Sequence, residues 1–100
     1  MEKSVPHCKL SRIAALVEAG KVRATGSAFL GARTLGICDL AGMCAVVLAL
    51  RPADFHKSMT TYADHRIWQD VYHTRTVSGE AVYLKLTVID DLLIVSFKEL

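Results

Sequence analysis

The segment from Lys57 to Arg75, KSMTTYADHRIWQDVYHTR, is rich in side chains that could do chemistry on a charged substrate. It mixes cations, hydroxyls and aromatic rings, whereas 52% of the whole chain is hydrophobic. This composition has two interpretations. The segment could be an exposed loop followed by an edge strand, or it could bind a polyanion and stack unpaired bases on its aromatic rings.

The sequence predicts a polar sheet face, provided that the C-terminal part of this segment and the segments after it are β-strands. Side chains of a strand alternate between the two faces of its sheet, so the polar residues of each strand share one parity. If the parities of three strands align, one face presents Gln69, His73, Arg75, Tyr83, Lys85 and Lys98. Lys57 would approach this face from the preceding segment. A single β-bulge would change the arrangement.

Cleavage of RNA without a metal ion needs the functional groups that such a face would carry. The ribose 2′-hydroxyl must lose a proton and attack phosphorus, and the leaving 5′-oxygen must gain a proton. Cations must meet the extra negative charge that develops at the phosphorus. Histidine, tyrosine, lysine and arginine supply these functions. The same residue types are also typical of a solvated sheet face, so the pattern alone leaves both interpretations open.

Other residues that could do chemistry have simpler interpretations. His56, Asp64 and His65 could bind zinc, but no fourth ligand follows at a familiar spacing, and a solvated loop explains them. The pair Asp90–Asp91 lies between two predicted strands, where acidic residues are typical of a turn. The three cysteines form no CxxC pair and are most simply reduced thiols. We therefore predict no metal site in this chain.

Length and composition bound the classes of protein that the chain could be. One hundred residues suit one domain with a modest core, which we place over residues 1–100. The longest apolar run, Leu40 to Leu50, is shorter than the roughly 20 residues of a membrane span. The N-terminal residues do not form a signal peptide, so we expect a cytoplasmic protein with no membrane association. The formal net charge of +2 does not by itself indicate nucleic acid.

Hydrophobic periodicity predicts helices in the N-terminal half and strands in the C-terminal half. The helical segments are residues 10–20, 25–36 and 39–50, with Gly20 as a stop and Asp39 as a cap. The third helix is apolar on all sides and should be the most buried. Alternating and β-branched segments predict a meander of three strands at residues 67–77, 82–89 and 92–97. A possible short strand precedes it at residues 58–62. Helices followed by consecutive antiparallel strands predict an α+β fold, an antiparallel sheet packed with N-terminal helices.

Long stretches of the chain resemble the motility quorum-sensing regulator toxins, the MqsR family. The stretches are GMCAVVLAL, DFHKSMTTYADHRIWQDVY, VYLKLTVIDDLLIVSFKE and the opening MEKSVPH…LSRI…LVEAGKVR. Together they cover Met1 to Glu99. The central motif, KSMTTYxDHxIWQDVY, is too long and unusual for a chance agreement.

The resemblance implies a fold, an activity and a partner. The fold would be that of the RelE/YoeB-like microbial ribonucleases. The activity would be cleavage of single-stranded messenger RNA without the ribosome and without a cofactor, at short GC-containing sites such as GCU. The partner would be an MqsA-like antitoxin with a zinc-binding N-terminal domain and a helix-turn-helix C-terminal domain. DNA would be bound only indirectly, through the complex with this antitoxin.

The resemblance also implies which residues are catalytic. Lys57 in DFHKSMTT, Gln69 in IWQDVY, Tyr83 in VYLK and Lys98 in SFKE match the catalytic positions of the family. Alternation along the strands places three of these residues on the polar face, with Lys57 beside it. Two independent arguments therefore lead to the same four side chains.

The chain departs from the family in the residues that follow IWQDVY. Arg75 is retained there, but His73 replaces an arginine, so phosphate binding at this point should either weaken or depend on pH. The residues expected to bind RNA or phosphate are His73, Arg75 and Lys85. The turn SGEA, before Tyr83, is one residue longer than in the family. Two alternatives to a nuclease stay open: a catalytically decayed protein that only binds its antitoxin, and an RNA-binding module without catalysis.

Overall fold

The computed structural model describes all 100 residues as three helices and six strands. The helices are α1 (Leu10–Glu18), α2 (Gly26–Thr34) and α3 (Leu40–Leu48). The strands are β1 (Glu2–Lys3), β2 (Val22–Ala24), β3 (Phe55–Thr60), β4 (Trp68–Arg75), β5 (Ala81–Ile89) and β6 (Asp91–Glu99). They form one sheet in the order β1-β3-β4-β5-β6-β2, in which only β2 and β6 pair in parallel. The predicted α+β class is confirmed, and the architecture is consistent with a RelE-like toxin fold.

Local signals in the sequence set the boundaries of the helices. The Thr25 hydroxyl accepts a hydrogen bond from the Ala28 N–H at the start of α2 (3.1 Å), and an Asp39 carboxylate oxygen accepts one from the Gly42 N–H at the start of α3 (2.8 Å). Gly20 follows α1 with a φ of 74°, a conformation that glycine adopts without strain. The predicted cap at Asp39 and the predicted stop at Gly20 are therefore confirmed.

The hydrophobic core lies between the three helices and one face of the sheet. Its 15 buried residues come from the helices, from the residues that follow α2 and α3, and from β4, β5 and β6. α2 lies so close to β6 that a Cβ atom on Gly31 would overlap the carbonyl oxygen of Phe97. Glycine is therefore required at this point of contact.

The third helix, α3, is buried on one side only. It buries Met43, Val46 and Val47, more residues than either other helix, as expected. Its outer side is open to solvent, however, and Leu48 is 46% exposed. An apolar sequence on all sides therefore does not mean burial on all sides, because the sheet covers only one side of the helix layer. No helix of the structure is both long and apolar enough to cross a membrane.

The sequence did not indicate two of the six strands. β1 has two residues and β2 has three, which is too short for a period of two to be recognised. β1 pairs with β3, and β2 pairs with β6, so both form only when distant parts of the chain meet. The meander of β4, β5 and β6 is confirmed, and the additional strand β3 begins at Phe55 rather than near residue 58.

Candidate active site

The sheet face opposite the helices, called the outer face below, carries the polar side chains of the central strands. β4 places His73 opposite Tyr83 of β5, and β6 places Lys98 opposite Tyr83 on the other side. Residues of the other parity, such as Tyr72 and Leu84, are fully buried in the core. The register of the three strands therefore aligns the polar parities as predicted.

A second row of the outer face lies beside the first. Lys57, Val71, Lys85 and Ser96 stand next to one another on four adjacent strands. Val71 has no exposed surface although it belongs to this face and not to the core cluster. Lysine side chains can cover an apolar neighbour with their alkyl stems and keep their ammonium groups in water. Val71 thus provides an apolar surface between the two lysines of this row.

A β-bulge in β3 directs Lys57 to the outer face. Phe55 pairs with Tyr72 and Lys57 pairs with Val71, so that His56 is an extra residue without a partner on β4. Phe55 packs edge-to-face on Tyr72 on the core side, with 5.6 Å between ring centroids. Residues two apart in a regular strand share a face. Without the bulge, Lys57 would therefore point to the core side together with Phe55.

A second bulge, in β6, does the same for Lys98. Val95 is the extra residue there, because its neighbours on both sides pair with consecutive residues of β5. Ile94 before the bulge and Phe97 after it are both buried in the core, three residues apart. A regular strand would place Lys98 on the same face as Ile94. The bulge instead brings Lys98 to the outer face, beside Tyr83.

Positive charge surrounds the ring of Tyr83. The Lys98 Nζ atom is 5.0 Å from the ring centroid, and the Lys85 Nζ atom is 5.9 Å from it. Both distances are within the range of a cation–π interaction. The imidazole of His73 lies on a third side, with 5.9 Å between ring centroids. An anion that binds next to Tyr83 would therefore meet two ammonium groups.

His56, the extra residue of the β3 bulge, stacks on His73. The ring centroids are 4.1 Å apart and the ring planes differ by 17°. Partial burial, and secondly the charge of His56, hold the pKa of His73 below its ordinary value of 6.5. His73 is therefore mostly neutral near pH 7.

The sequence did not mark His56 as part of this site. It was considered only as a zinc ligand with Asp64 and His65, and the structure groups no three His, Cys, Asp or Glu side chains to hold a metal ion. A bulge adds one residue to a face without leaving a composition signal that alternation could detect. Only the register of β3 against β4 identifies it.

The N-terminal strand supplies a carboxylate to Lys57. An oxygen of Glu2 lies 3.0 Å from the Lys57 Nζ atom, and the hydrogen bond and charge of that lysine lower the pKa of the Glu2 carboxyl. β1 is fixed at this position, because the N-terminal ammonium donates to the Thr60 hydroxyl (3.1 Å) and the Thr60 N–H donates to the Met1 carbonyl oxygen (3.0 Å). Lys57 is thus paired with an anion in the absence of substrate.

Gln69 and Arg75 lie at the two ends of the same face of β4. Gln69 stands opposite Met59, and Arg75 stands opposite Ala81 and donates a hydrogen bond to the Gly79 carbonyl oxygen (2.9 Å). At about 3.3 Å per residue they are roughly 20 Å apart. Gln69 and Arg75 therefore lie at the margins of the face. The structure brings the other five predicted residues together between them: Lys57, His73, Tyr83, Lys85 and Lys98.

The core-side face of β4 binds the N-terminal segment of the chain and is not part of the outer face. The Asp70 carboxylate accepts hydrogen bonds from the N–H groups of His7 and Cys8, both 3.0 Å long. The ring of Trp68 is covered by the Lys3 ammonium at 4.0 Å and by the His7 ring at 5.7 Å. Trp68 is therefore a structural residue at the rim of the core rather than a stacking platform of the site.

The similarity of this chain to known proteins extends over nearly its whole length. A family model described as "Motility quorum-sensing regulator, toxin of MqsA" matches residues 5–99. A protein of Escherichia coli (strain K12), the mRNA interferase toxin MqsR, is 61% identical over 99 residues, which are 99% of this chain and 99% of that protein. The resemblance found in the sequence motifs is thus confirmed over nearly the whole chain.

Proposed function

The chain belongs to the family of motility quorum-sensing regulator toxins, and we propose that it is an endoribonuclease that cleaves messenger RNA as the toxin of a toxin–antitoxin pair. The name of the Escherichia coli relative, an mRNA interferase toxin, supports the activity. The whole chain of 100 residues acts as one toxin domain. We place its action in the cytoplasm, where messenger RNA is translated.

The observation that carries this proposal is the convergence of cations on Tyr83. Lys98 and Lys85 flank its ring, and Lys57 lies in the adjacent row of the outer face. Bulges in two different strands aim Lys57 and Lys98 at this face, against the alternation of their own strands. Such bulges are over-represented next to active sites. A merely solvated sheet face would need neither of them.

These groups can perform RNA cleavage without a metal ion. The 2′-oxygen forms a bond to phosphorus as its proton leaves, and the bond from phosphorus to the 5′-oxygen breaks as that oxygen takes up a proton. The products are a 2′,3′-cyclic phosphate and a 5′-hydroxyl end. Tyr83 is the proton-transfer group, which receives the proton of the 2′-hydroxyl and supplies one to the leaving 5′-oxygen, and Lys57 and Lys98 stabilise the additional negative charge of the transition state.

The remaining residues of the outer face bind and orient the RNA. Arg75 and His73 contact phosphates of the bound strand, and Lys85 adds positive charge beside Tyr83. Gln69, at the other end of β4, orients a phosphate or the edge of a base. The substrate is single-stranded, because only unpaired bases can be splayed over a flat sheet face of this kind.

Finer aspects of the function follow from membership of the family. We propose cleavage without the ribosome at short GC-containing sites such as GCU. An MqsA-like antitoxin with a zinc-binding domain and a helix-turn-helix domain neutralises the toxin, and the toxin contacts DNA only through this complex. The family description, which names the toxin of MqsA, supports the partner.

The decisive experiment is cleavage of a defined messenger RNA in the presence of EDTA, with the cuts mapped by primer extension. Wild type, Lys57→Ala and Tyr83→Phe are compared with Lys21→Ala, which removes an exposed lysine at the start of β2. We expect cuts at one short motif, a loss of about 10²–10³ in rate for Lys57→Ala, and an unchanged rate for Lys21→Ala.

Three results would contradict the proposal. Absence of any cut by a correctly folded wild-type protein, even at stoichiometric concentration, would leave a protein that only binds its antitoxin. Retention of RNA that weakens with salt, but without product, would indicate an RNA-binding module instead. Loss of cleavage in EDTA, restored by a divalent cation, would refute the metal-independent mechanism.

A further inference from the structure

A groove of about 350 Å³ adjoins the outer face where β4 ends and β5 begins. Its polar lining comes from the turn after α3 and from β4, and it includes Arg51, Asp54, His73 and Arg75. Its apolar lining includes Ala81 and Leu100. The volume lies within the range of small-molecule sites, about 300–1,000 Å³. His73 borders both the groove and Tyr83, so the groove is continuous with the candidate active site.

The hydrogen-bond donors of the groove suit an anion. Arg51 and Arg75 contribute two guanidinium groups beside the carboxylate of Asp54. This carboxylate is already engaged within its own turn, because it accepts hydrogen bonds from the Arg51 N–H (2.9 Å) and from the Arg51 side chain (3.3 Å). Arg75 donates one of its five N–H groups to Gly79. Both arginines therefore retain donors for a ligand.

The position of the groove suits the next nucleotide of a bound strand. Arg75 lies two residues beyond His73 on β4, roughly 7 Å further along the strand. This step is comparable with the distance between neighbouring phosphates of an extended single strand. Ala81 and Leu100 add apolar surface that a ribose or a base could contact.

We propose that this groove is a subsite for a nucleotide that flanks the cleaved motif, with Arg51 and Arg75 bound to its phosphate. The inference rests on the proposed function and deepens it, because it adds Arg51 as a residue that binds substrate outside the reacting centre. It predicts that an RNA must extend past the motif, on one side, to reach its full affinity.

Binding of short RNAs that cannot be cut tests the subsite separately from catalysis. The RNAs contain GCU with 2′-deoxyribose at each position of the motif, alone or extended by one nucleotide at the 5′ or the 3′ end. Affinity is measured by fluorescence anisotropy for wild type, Arg51→Gln, Arg51→Lys and Arg33→Gln. Arg33, an exposed arginine in the last turn of α2, is the matched control for lost charge.

We expect one of the two extensions to tighten binding to wild type by about five- to tenfold, as for a charge-assisted contact at a partly exposed site. Arg51→Gln should lose this gain and bind the unextended RNA as wild type does. Arg51→Lys should keep most of the gain, and Arg33→Gln should keep all of it.

Two results would overturn the subsite. One is that neither extension tightens binding to wild type, and the other is that Arg51→Gln weakens extended and unextended RNAs equally. Equal melting temperatures of the variants would show that the turn at Asp54 survives the substitution. Because these RNAs are not cleaved, a wild type that binds them with the expected pattern but cuts no RNA would refute the proposed catalysis and not the subsite.

Discussion

The central strands β4 and β5 and their flanking strands β3 and β6 contribute to the same outer face in different ways. In the central pair, alternation is regular, and His73 and Tyr83 face each other through strand register alone. In each flanking strand a bulge interrupts the alternation, and Lys57 and Lys98 reach the outer face only because of it. The central pair supplies the platform, and the flanking strands supply the two lysines at which the negative charge of the transition state would be stabilised.

Each flanking strand must meet two requirements: apolar residues must face the core, and a lysine must face the outer side. Phe55 and Ile94 must point into the core, while lysines of the same parity further along the strand must point away from it. One extra residue between them satisfies both demands, because it reverses the face of everything that follows. The bulge in β3 has a second effect, since its extra residue, His56, stacks on His73 and alters the environment of the site.

Insertion of one alanine between Phe97 and Lys98 should have the largest effect, because it cancels the orientation that the bulge gives to Lys98. Alternation then keeps Phe97 in the core, places the new alanine on the outer face and turns Lys98 towards the core. We expect a loss of about 10²–10³ in cleavage rate. Single-turnover cleavage measures this loss, and urea denaturation measures the cost of turning Lys98 inward.

Val95→Ala is the control for this insertion, since it keeps the number of residues in β6. The hydrogen bond from the Thr25 hydroxyl to the Val95 carbonyl oxygen (2.8 Å) is also kept. We expect a cleavage rate near that of wild type. An insertion variant with an unchanged rate would show that the outward direction of Lys98 is not needed for cleavage.

The two tyrosines of the central pair test whether the outer face alone is catalytic. Tyr83→Phe should reduce single-turnover cleavage by about 10²–10⁴, the range for loss of a proton-transfer group. Tyr72, on the core face, has a buried hydroxyl that bonds to no protein atom. Tyr72→Phe should therefore leave the rate unchanged. A loss of less than tenfold for Tyr83→Phe would exclude the tyrosine as acid or base.

His73 should make the affinity for RNA depend on pH. Because its pKa lies below 6.5, the positive charge that binds a phosphate forms only below this pH, and the KM for RNA should fall as the pH is lowered. His73→Arg should lower KM about fivefold at pH 7.5 and remove this dependence. A wild-type KM that stays constant between pH 7.5 and 5.5 would refute the phosphate contact.

The same shift in pKa has the opposite effect on stability. The unfolded chain has the ordinary pKa of 6.5 at His73 and therefore binds more protons than the folded protein in the window just below that pH. The contribution of His73 to stability is present above pH 6.5 and is lost as the pH falls through the lowered pKa. Urea denaturation of wild type and His73→Arg across this window should show the loss in wild type only.

Glu2→Gln should have the smallest effect and tests the pairing of Lys57 in the flanking strand. The carboxylate must leave the lysine when a phosphate binds, so its removal should lower KM by about two- to fivefold, as for an exposed ion pair. The gain should disappear at high salt. Glu18→Gln, at the end of α1, removes the same charge far from the site and should change nothing. A rise in KM for Glu2→Gln would show that Glu2 positions Lys57 instead of competing with substrate.

Several features of the protein were determined by the sequence alone. The three helices with their caps, the meander of β4, β5 and β6, and the polar parity of His73 and Tyr83 follow from local periodicity and capping. The family follows from long motifs, and its match over residues 5–99 confirms it. These features depend on residues that are close in the chain, which is why they can be recognised without the fold.

Other features were decided only by the tertiary structure. The two bulges, the stacking of His56 on His73, and the pairing of Glu2 with Lys57 each require a strand register or a contact between distant residues. The polar parity of Lys98 was expected from the sequence, but a regular strand would have turned it to the core. It faces outward because burial of both Ile94 and Phe97 forces one extra residue into β6. A bulge reconciles the packing of apolar residues on one face with the placement of charge on the other. Neither requirement can be recognised from the sequence of one strand alone.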